Sequence, residues 1–385
     1  MEKPETPRNP PKISVIIPAY NQALYISESI RSVLEQTYPE FELIVVDDGS
    51  TDETAQILTG IQDPRICVVR QPNSGLSAAR NTGMRASSAP FITFLDADDY
   101  FLPDKLEILS NYLDEQSDIG LVVGRVRYID ESGNTIFESM KTPPKLVLPE
   151  LLFENPICVS GILLRRKWVE SIGEFDESLR ACEDWDLWLR LAYSGCRFAW
   201  VEHPVVAYRF HQGQMTRESE RMRKAILSTL DKFFNQPELP EYLRTYKNTA
   251  YASGLVHAAA FEYLSNQPDK GQRDLNEAIN LDSILKEKRY KRLVELLVGW
   301  SYDPRSTEPA GFLQRIISNP PPGQPGLVRQ LRRAIADLYL SSLFLNSREN
   351  WHTHRLDLFK AILYKPNWLL NRGVLRMIAD AWLNI

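Results

Sequence analysis

The chain has 385 residues, 43% of them hydrophobic and 25% charged, which is typical of a soluble globular protein of two or three domains. Its formal net charge of −5 argues against a general nucleic-acid binder, because such proteins gain affinity from a basic surface. The four cysteines form no C-x-x-C pair, which argues against a disulfide framework or a cysteine zinc site. No signal region and no apolar run of the ~18–20 residues of a spanning helix is visible. We therefore expect a cytoplasmic protein, with peripheral contact to the inner membrane face as the alternative.

Short apolar runs alternate with amphipathic stretches over the first 125 residues. The apolar runs predict strands, and the stretches with helical spacing predict the helices between them. Because continuously apolar strands are buried on both faces, the alternation predicts an open, mainly parallel α/β sheet with flanking helices. The predicted strands are 13–18, 41–46, 66–69, 91–95 and 121–126, and the predicted helices are 23–36, 52–58, 76–85 and 104–115.

The signal changes along the rest of the chain. Residues 126–148 carry little periodicity, and a helix at 184–194 then precedes strands near 198–201 and 205–210. After about residue 213 helical periodicity dominates, which predicts an all-α region. The helices predicted there are 219–235, 240–266, 270–281, 283–300, 326–345, 353–364 and 372–383.

These changes predict three parts of the chain: a disordered N-terminal arm (1–11), an α/β domain (12–215) and a helical domain (216–385) with a Pro-rich break at 319–325. A weak echo, DL-x-x-AI, occurs at 274–279 and again at 357–362. Helical-hairpin repeats leave such traces, so degenerate tetratricopeptide-like helix pairs are one interpretation and chance is the other.

Polar and acidic residues follow three of the predicted strands. They are residues 18–21 (PAYN), 47–52 (DDGSTD) and 96–99 (DADD). In an open parallel sheet, ligands bind beyond the carboxyl ends of the strands. Carboxylates gathered at one edge repel each other unless a cation or hydrogen-bond donors balance them. The pattern therefore predicts a divalent cation at this edge.

Asp96 and Asp98 are the central pair of this edge. Mg²⁺ and Mn²⁺ prefer oxygen ligands and often bridge one or two carboxylates to the phosphates of a substrate. The alternative is that both residues only cap the following helix. Their position after a buried strand, within an acidic cluster, favours the metal interpretation.

The loops around the pair offer contacts for a nucleotide. Asp48 lies in a tight turn that precedes a helix start, and it can also accept a hydrogen bond from a nucleobase, with Tyr20 packing on the base face; both roles can hold in one loop. Arg80, within the segment 74–81 (SGLSAARN), either reaches a phosphate or a carboxylate of the cluster or is a surface helix arginine.

A second acidic pair, Glu183 and Asp184, opens the helix predicted at 184–194. The helix dipole alone favours acidic residues in a first turn. The neighbouring Trp185 and Trp188 predict an apolar setting, which raises the pKa of a carboxyl and suits a general base. His211 is either a surface or core histidine or the completion of a metal sphere.

Six segments, in this order, resemble the family-2 glycosyltransferases of the GT-A fold. They span about residues 12–215, and the C-terminal part shows no comparable match. The segments are 14–21 (SVIIPAYN), 45–52 (VVDDGSTD), 75–81 (GLSAARN), 94–99 (FLDADD), 183–188 (EDWDLW) and 208–211 (YRFH).

The resemblance implies a metal-dependent, inverting transfer of a sugar from a nucleoside diphosphate sugar, most often UDP-linked, to an acceptor hydroxyl in polysaccharide or glycoconjugate synthesis. The implied partners are this donor and a saccharide or lipid-linked acceptor, and the implied cofactor is Mn²⁺ or Mg²⁺. Asp184 is the implied base, with Glu183 as the fallback, and Asp98 is the more direct metal ligand, with Asp96 beside it and His211 as a looser candidate. The implied nucleotide-binding residues are Pro18, Tyr20, Asn21, Asp48, Arg80 and Asp96.

The sequence lacks the motifs of two other nucleotide-binding enzyme classes. A dinucleotide-binding oxidoreductase needs a Gly-rich turn after the first strand, and no G-x-G-x-x-G occurs. A nucleotidyltransferase needs a Gly-rich, basic loop at that place, where the chain reads PAYN. The alternative that stays open is a catalytically inactive sugar-nucleotide-binding module whose helical tail mediates protein interactions.

The helical half has several candidate roles: covering the sheet, forming a homo-oligomer, or recognising the acceptor. Residues 329–333 (RQLRR) lie beside apolar helix positions. This pattern fits either a membrane-surface helix or a solvated helix face, and the solvated face is favoured.

Overall fold

The structure is a computed structural model that describes residues 10–139, 143–306, 308–346, 355–365, 368–369 and 374. The described chain forms two compact units. The sheet unit comprises the residues up to 216 together with 224–246, and the helical unit comprises 217–223 and the residues from 247 onward. The sheet unit thus extends beyond the predicted boundary at 215. One reason is that Lys232 forms ion pairs with Asp176 (2.5 Å) and Asp186 (2.9 Å).

Within the described part of the chain, nine strands form one mixed sheet, in the order β3-β2-β1-β4-β8-β6-β9-β5, with β7 paired to β6. The first four strands are parallel, β8 runs antiparallel between β4 and β6, and β6 is parallel to β9. The strands are β1 (Ile13–Ala19), β2 (Phe41–Asp47), β3 (Ile66–Arg70), β4 (Phe91–Phe94), β5 (Tyr100–Phe101), β6 (Ile119–Ile129), β7 (Thr135–Glu138), β8 (Ile162–Arg165) and β9 (Arg197–Arg209).

Helices cover the sheet, as predicted, and the α/β sheet followed by a helical region is confirmed. The helices that begin before residue 247 are α1 (Ile26–Leu34), α2 (Thr54–Thr59), α3 (Leu76–Arg85), α4 (Lys105–Glu115), α5 (Arg166–Ile172), α6 (Glu183–Tyr193), α7 (Ser219–Phe234) and α8 (Glu241–Arg244). Those of the helical unit are α9 (Lys247–Leu264), α10 (Pro268–Leu281), α11 (Glu287–Trp300), α12 (Pro309–Ser318), α13 (Pro325–Asn346) and α14 (Arg355–Tyr364).

Several elements differ from the sequence expectation. The single helix expected at 240–266 is two helices, α8 and α9, although no proline or glycine marks the break. The helix expected at 283–300 begins as a 3₁₀ turn. The short elements β5, β7, β8, α5 and α12 were not predicted. The helix expected at 372–383 lies outside the described residues except for position 374.

The core of the sheet unit lies on both faces of the central strands. Every residue of β1 is buried, and so is every residue of β4, as expected for strands covered on both sides. The amphipathic α1 buries Ile26, Ile30 and Val33 against this sheet. No helix in the described ranges combines the length and hydropathy needed to cross a membrane.

Helix α3 packs so closely on β1 that a side chain is excluded at Gly83. A Cβ atom at that position would lie 2.3 Å from Cγ2 of Ile16, which is buried. We expect Gly83→Ala to lower the free energy of unfolding by about 1–3 kcal/mol, because the overpacked contact outweighs the better helix propensity of alanine. Gly299→Ala is the control, since that helical position has open space around it. Chemical denaturation showing equal stability of the two variants would contradict this packing.

Candidate active site

The carboxyl ends of three neighbouring strands meet at one edge of the sheet. Strands β2, β1 and β4 are adjacent and parallel, so the loops that follow them lie side by side. Pro18 is buried within β1 opposite Val46, and the exposed side chain of Tyr20 begins the first loop. The polar residues predicted to share one edge are thus brought together there.

Asn21 ties the loop after β1 to the loop after β2. Its backbone is left-handed (φ 54°), and its backbone N–H donates to Ser50 Oγ over 3.0 Å. Its side-chain Oδ1 accepts hydrogen bonds from the backbone N–H groups of Thr51 (2.8 Å) and Asp52 (3.3 Å). Asn is one of the residues that best tolerate this backbone conformation, which explains its use here. The bonds fix the loop that presents Tyr20.

Asp48 is buried beneath the loop that leads into α3. Its Oδ1 accepts from the N–H of Ser74 (2.9 Å) and from Nε2 of Gln71 (2.7 Å), and its Oδ2 accepts from the N–H of Gly75 (2.9 Å). A carboxylate offers about four lone-pair positions, so three are already occupied. Asp48 therefore organises this loop, and a bound nucleobase would share its remaining capacity.

Arg80 joins the two acidic motifs. Its side chain is 1% exposed; Nη2 donates to Asp96 over 2.6 Å and Nη1 donates to Glu183 over 2.5 Å. These two partners follow β4 and open α6, so one guanidinium group binds both motifs. Arg80 thus reaches carboxylates of the cluster, one of the two roles that the sequence left open for it.

Asp98 and His211 form a pair at the same edge. His211 Nε2 lies 2.8 Å from Asp98 Oδ2, and both side chains are largely buried. The backbone N–H of Gly213 donates to Nδ1 of the imidazole (3.2 Å), so in the neutral ring the proton lies on Nε2 and is donated to Asp98. The structure therefore brings the predicted carboxylate ligand next to the histidine that sequence analysis paired with it only loosely.

Asp99 and Arg209 fix the backbone of the D-x-D turn. Asp99 is buried and accepts from the N–H of Arg209 (3.0 Å) and from the hydroxyl of Ser160 (3.1 Å). The Arg209 guanidinium donates to the carbonyl of Asp98 (3.0 Å) and to Glu28 (2.5 Å). Burial, reinforced by the negative charges of Asp98 and Asp96, raises the pKa of Asp99 well above its usual range.

A buried lysine supports the same turn from below. Lys105 donates to Thr93 Oγ1 (2.8 Å) and to the carbonyl of Ser160 (2.7 Å). Burial lowers its pKa well below that of an exposed lysine. Lys105 was not identified from the sequence, because a lysine in the first turn of a helix is normally solvated.

Asp184 lies at the start of α6, next to the Glu183 that Arg80 binds. Its Oδ2 accepts from Asn155 Nδ2 (3.1 Å) and its Oδ1 from the N–H of Trp185 (2.7 Å). Burial, together with the charge of Glu183, raises the pKa of Asp184 to about 7, although Arg80 opposes the shift. A carboxyl group with this pKa can accept a proton near neutral pH.

Within the described residues, no group of three or more His, Cys, Asp or Glu side chains is arranged to hold a metal ion. Asp98 and His211 supply one carboxylate oxygen and one imidazole nitrogen. This donor set fits a cation that takes its other ligands from water and from the phosphates of a substrate. The exposed Asn155 and the buried Ser160 and Arg209 complete the surroundings, and of these three only Arg209 lies within a motif identified from the sequence.

Comparison with known proteins identifies the sheet unit. The family described as Glycosyl transferase family 2 matches residues 14–173. An uncharacterized glycosyltransferase of Nostoc sp. is 30% identical over 246 residues, which cover 58% of this chain and 74% of that protein. An uncharacterized glycosyltransferase of Rickettsia conorii is 36% identical over 190 residues, which cover 48% of this chain and 30% of that protein. The chain thus spans about a third of the length of the Rickettsia relative.

Two solved structures share the fold. S. aureus TarS 1–349 in complex with UDP matches with a TM-score of 0.50 at 22% identity, covering 74% of this chain and 83% of that one. The mannosyltransferase PcManGT from Pyrobaculum calidifontis, in complex with GDP-Man and Mn²⁺, matches with a TM-score of 0.51 at 20% identity, covering 81% and 88%. The expected GT-A fold is confirmed. With the six motifs placed around one edge of the sheet, the chain belongs to glycosyl transferase family 2.

Proposed function

We propose that this protein transfers a sugar from a nucleoside diphosphate sugar to an acceptor hydroxyl, with inversion at the anomeric carbon and with the help of a divalent cation. The observation that carries the proposal is the contact of one arginine, Arg80, with both the D-x-D motif and the E-D motif. It supports a single site in which a donor held near Asp98 lies within reach of Asp184.

The donor is a nucleoside diphosphate sugar. Solved structures of the same fold carry UDP in one case and GDP-Man with Mn²⁺ in another, which supports this class of donor. The exposed ring of Tyr20 and the loop that Asp48 organises are available for the base, and UDP is our expectation from the motifs.

Mn²⁺ or Mg²⁺ would be held by Asp98 and His211, with Asp96 beside them. A cation bound there acts as a Lewis acid that stabilises the negative charge developing on the leaving diphosphate. Asp98 and His211 are the two close ligands in the described part of the chain, so the phosphates of the donor would have to supply further ligands. Cation and donor are therefore expected to bind together.

Asp184 is the proposed general base. As the acceptor oxygen attacks the anomeric carbon, its proton passes to the Asp184 carboxylate. The bond from that carbon to the phosphate oxygen breaks, and the electron pair leaves with the diphosphate. Glu183 is less suited because its carboxylate is buried and already bonded to Arg80. The acceptor is expected to be a saccharide or a lipid-linked saccharide in polysaccharide or glycoconjugate synthesis.

The inactive binding module remains the second candidate. It would bind the donor but would have no use for a carboxyl group whose pKa is raised to about 7 at the start of α6. Binding and turnover measurements separate the two candidates, because a module binds UDP without ever cleaving a sugar donor.

Removal of the proposed metal ligand tests donor binding. We expect the protein to bind UDP in the presence of Mn²⁺ in isothermal titration calorimetry, and Asp98→Ala to weaken that binding by about tenfold or more. Asp104→Ala is a matched control, because Asp104 belongs to another Asp–His pair, with His203 at 2.9 Å. Equal affinities of wild type and Asp98→Ala would rule out the proposed cation site, and absence of any nucleotide binding would rule out both candidates.

The base is tested by the pH dependence of turnover. Because Asp184 accepts a proton only when it is ionised, and its pKa is raised to about 7, the rate should fall as the pH drops below 7. Asp184→Asn should lower the rate of donor cleavage by ~10²–10⁴-fold and leave UDP affinity unchanged. Glu170→Gln, an exposed acid on α5, is the control. A pH profile that is the same in wild type and Asp184→Asn would exclude Asp184 as the base.

Arg80 is tested by stability. Arg80→Met leaves Asp96 and Glu183 without their buried partner, which should cost about 3–5 kcal/mol in the free energy of unfolding at neutral pH. The loss should shrink in mildly acidic buffer, because burial raises the pKa of Asp96 and its protonated carboxyl no longer needs a cationic partner. Arg85→Met, on the exposed face of the same helix, breaks a surface pair with Glu174 and should cost less than about 1 kcal/mol. Equal losses in the two variants, measured by urea denaturation, would show that Arg80 is not the central contact.

A further inference from the structure

The helical unit contains a basic pocket. A cavity of about 470 Å³ lies between the start of α11 and the first turns of α13. This volume is in the range of small-molecule sites. None of the described residues that line it is acidic. The lining residues are Arg289, Tyr290, Gly326, Arg329, Gln330 and Arg333.

One face of α13 forms one wall of the pocket. Gly326, Arg329 and Arg333 follow one another at spacings of three and four, so their side chains share a face of the helix. Arg332 lies between them in sequence and does not line the cavity. The pocket therefore uses two of the three arginines of 329–333, and the third points elsewhere.

The opposite wall comes from an unusual turn. Lys288, Arg289 and Tyr290 have left-handed backbones, with φ of 44°, 60° and 64°. This turn brings the ring of Tyr290 against the backbone of Gly326, where a Cβ atom would lie 2.9 Å from the ring. The Tyr290 hydroxyl donates to Gln324 over 2.6 Å. These contacts fix Tyr290 against the start of α13, and its neighbour Arg289 lines the same pocket as Arg329 and Arg333.

The three arginines of the pocket lack a protein counter-charge. Among the described residues, no carboxylate forms an ion pair with Arg289, Arg329 or Arg333, and Arg333 makes only a long contact of 3.5 Å with Gln330. Three like charges around one cavity repel each other, and an anion there removes the repulsion. The positive end of the α13 dipole adds to the attraction.

We infer that this pocket binds a phosphate group carried by a larger ligand. A phosphate ester offers up to two negative charges and three acceptor oxygens, which match the planar forks of several arginines. The ring of Tyr290 adds an apolar surface for the part of the ligand beside the phosphate. The group can come from a phospholipid headgroup or from a soluble phosphorylated compound. The inference concerns the helical unit and does not depend on the proposed sugar transfer.

The test compares variants of the full chain with two phosphate probes. Inorganic pyrophosphate is titrated without divalent cations, so that the Asp98 site does not contribute, and vesicles of phosphatidylglycerol and phosphatidylcholine are compared with pure phosphatidylcholine. We expect the double variant Arg329→Ala/Arg333→Ala to weaken binding of the probe by about tenfold or more, since each arginine near an anionic group contributes to the binding free energy. Arg332→Ala, the neighbour that does not line the pocket, should stay within about twofold of the wild type.

The identity of the ligand follows from which probe binds and from which variants lose affinity for it. Binding of pyrophosphate alone identifies a soluble phosphorylated ligand, and binding of the phosphatidylglycerol vesicles with the same variant pattern identifies a lipid headgroup. If neither probe binds, or if Arg332→Ala loses as much affinity for the probe as the double variant does, the arginines form an ordinary solvated face and the inference is wrong. Tighter binding of a single-stranded RNA, lost in the double variant, would overturn it as well, in favour of nucleic acid.

Discussion

The candidate active site depends on a buried arginine that holds two acidic motifs together. Asp96, which follows β4, and Glu183, which opens α6, would repel each other without a cation between them, and burial raises the pKa of Asp96. Arg80 lies between Asp96 and Glu183 and packs over the ring of Phe175. Its positive charge lets two negative groups be buried near one another. The remaining acids, Asp98 and Asp184, are the ones to which the proposed function assigns the cation and the proton transfer.

The same balance extends over the whole edge of the sheet. Asp48 is satisfied by loop N–H groups and Asp99 by Arg209 and Ser160, so these acids serve to build the loops. Asp98 instead pairs with His211, and in the proposed function a cation would take the place of the proton between them. An acidic edge of this kind therefore divides into carboxylates that fix the backbone and carboxylates that face a ligand. Only the hydrogen-bond partners, and not the residue type, distinguish the two groups.

This distinction explains how far sequence analysis reached. Continuous apolar runs identified β1, β2 and β4, and parallel strand order then placed their polar ends together. The strand β8 was missed although β4 is equally short, because β4 lies within the regular alternation of strands and helices, whereas β8 follows an irregular segment with two 3₁₀ turns. The partners of Arg80 lie 16 and 103 residues away along the chain, and spacing gives no direction for a side chain that crosses between elements. Asn155, which bonds Asp184, carries no motif at all.

Charge is distributed unevenly along the chain, so the net charge does not describe the charge at a particular site. A net charge of −5 describes the average, yet acids are concentrated at the edge of the sheet and arginines around the pocket between α11 and α13. The charge of each cluster attracts a ligand of the opposite sign, which is a cation at the first cluster and a phosphate at the second. Electrostatic attraction is screened over a Debye length of about 8–10 Å, so a ligand responds to its local cluster and hardly to the total. The acidic total therefore argues against a broadly basic surface without arguing against one basic pocket.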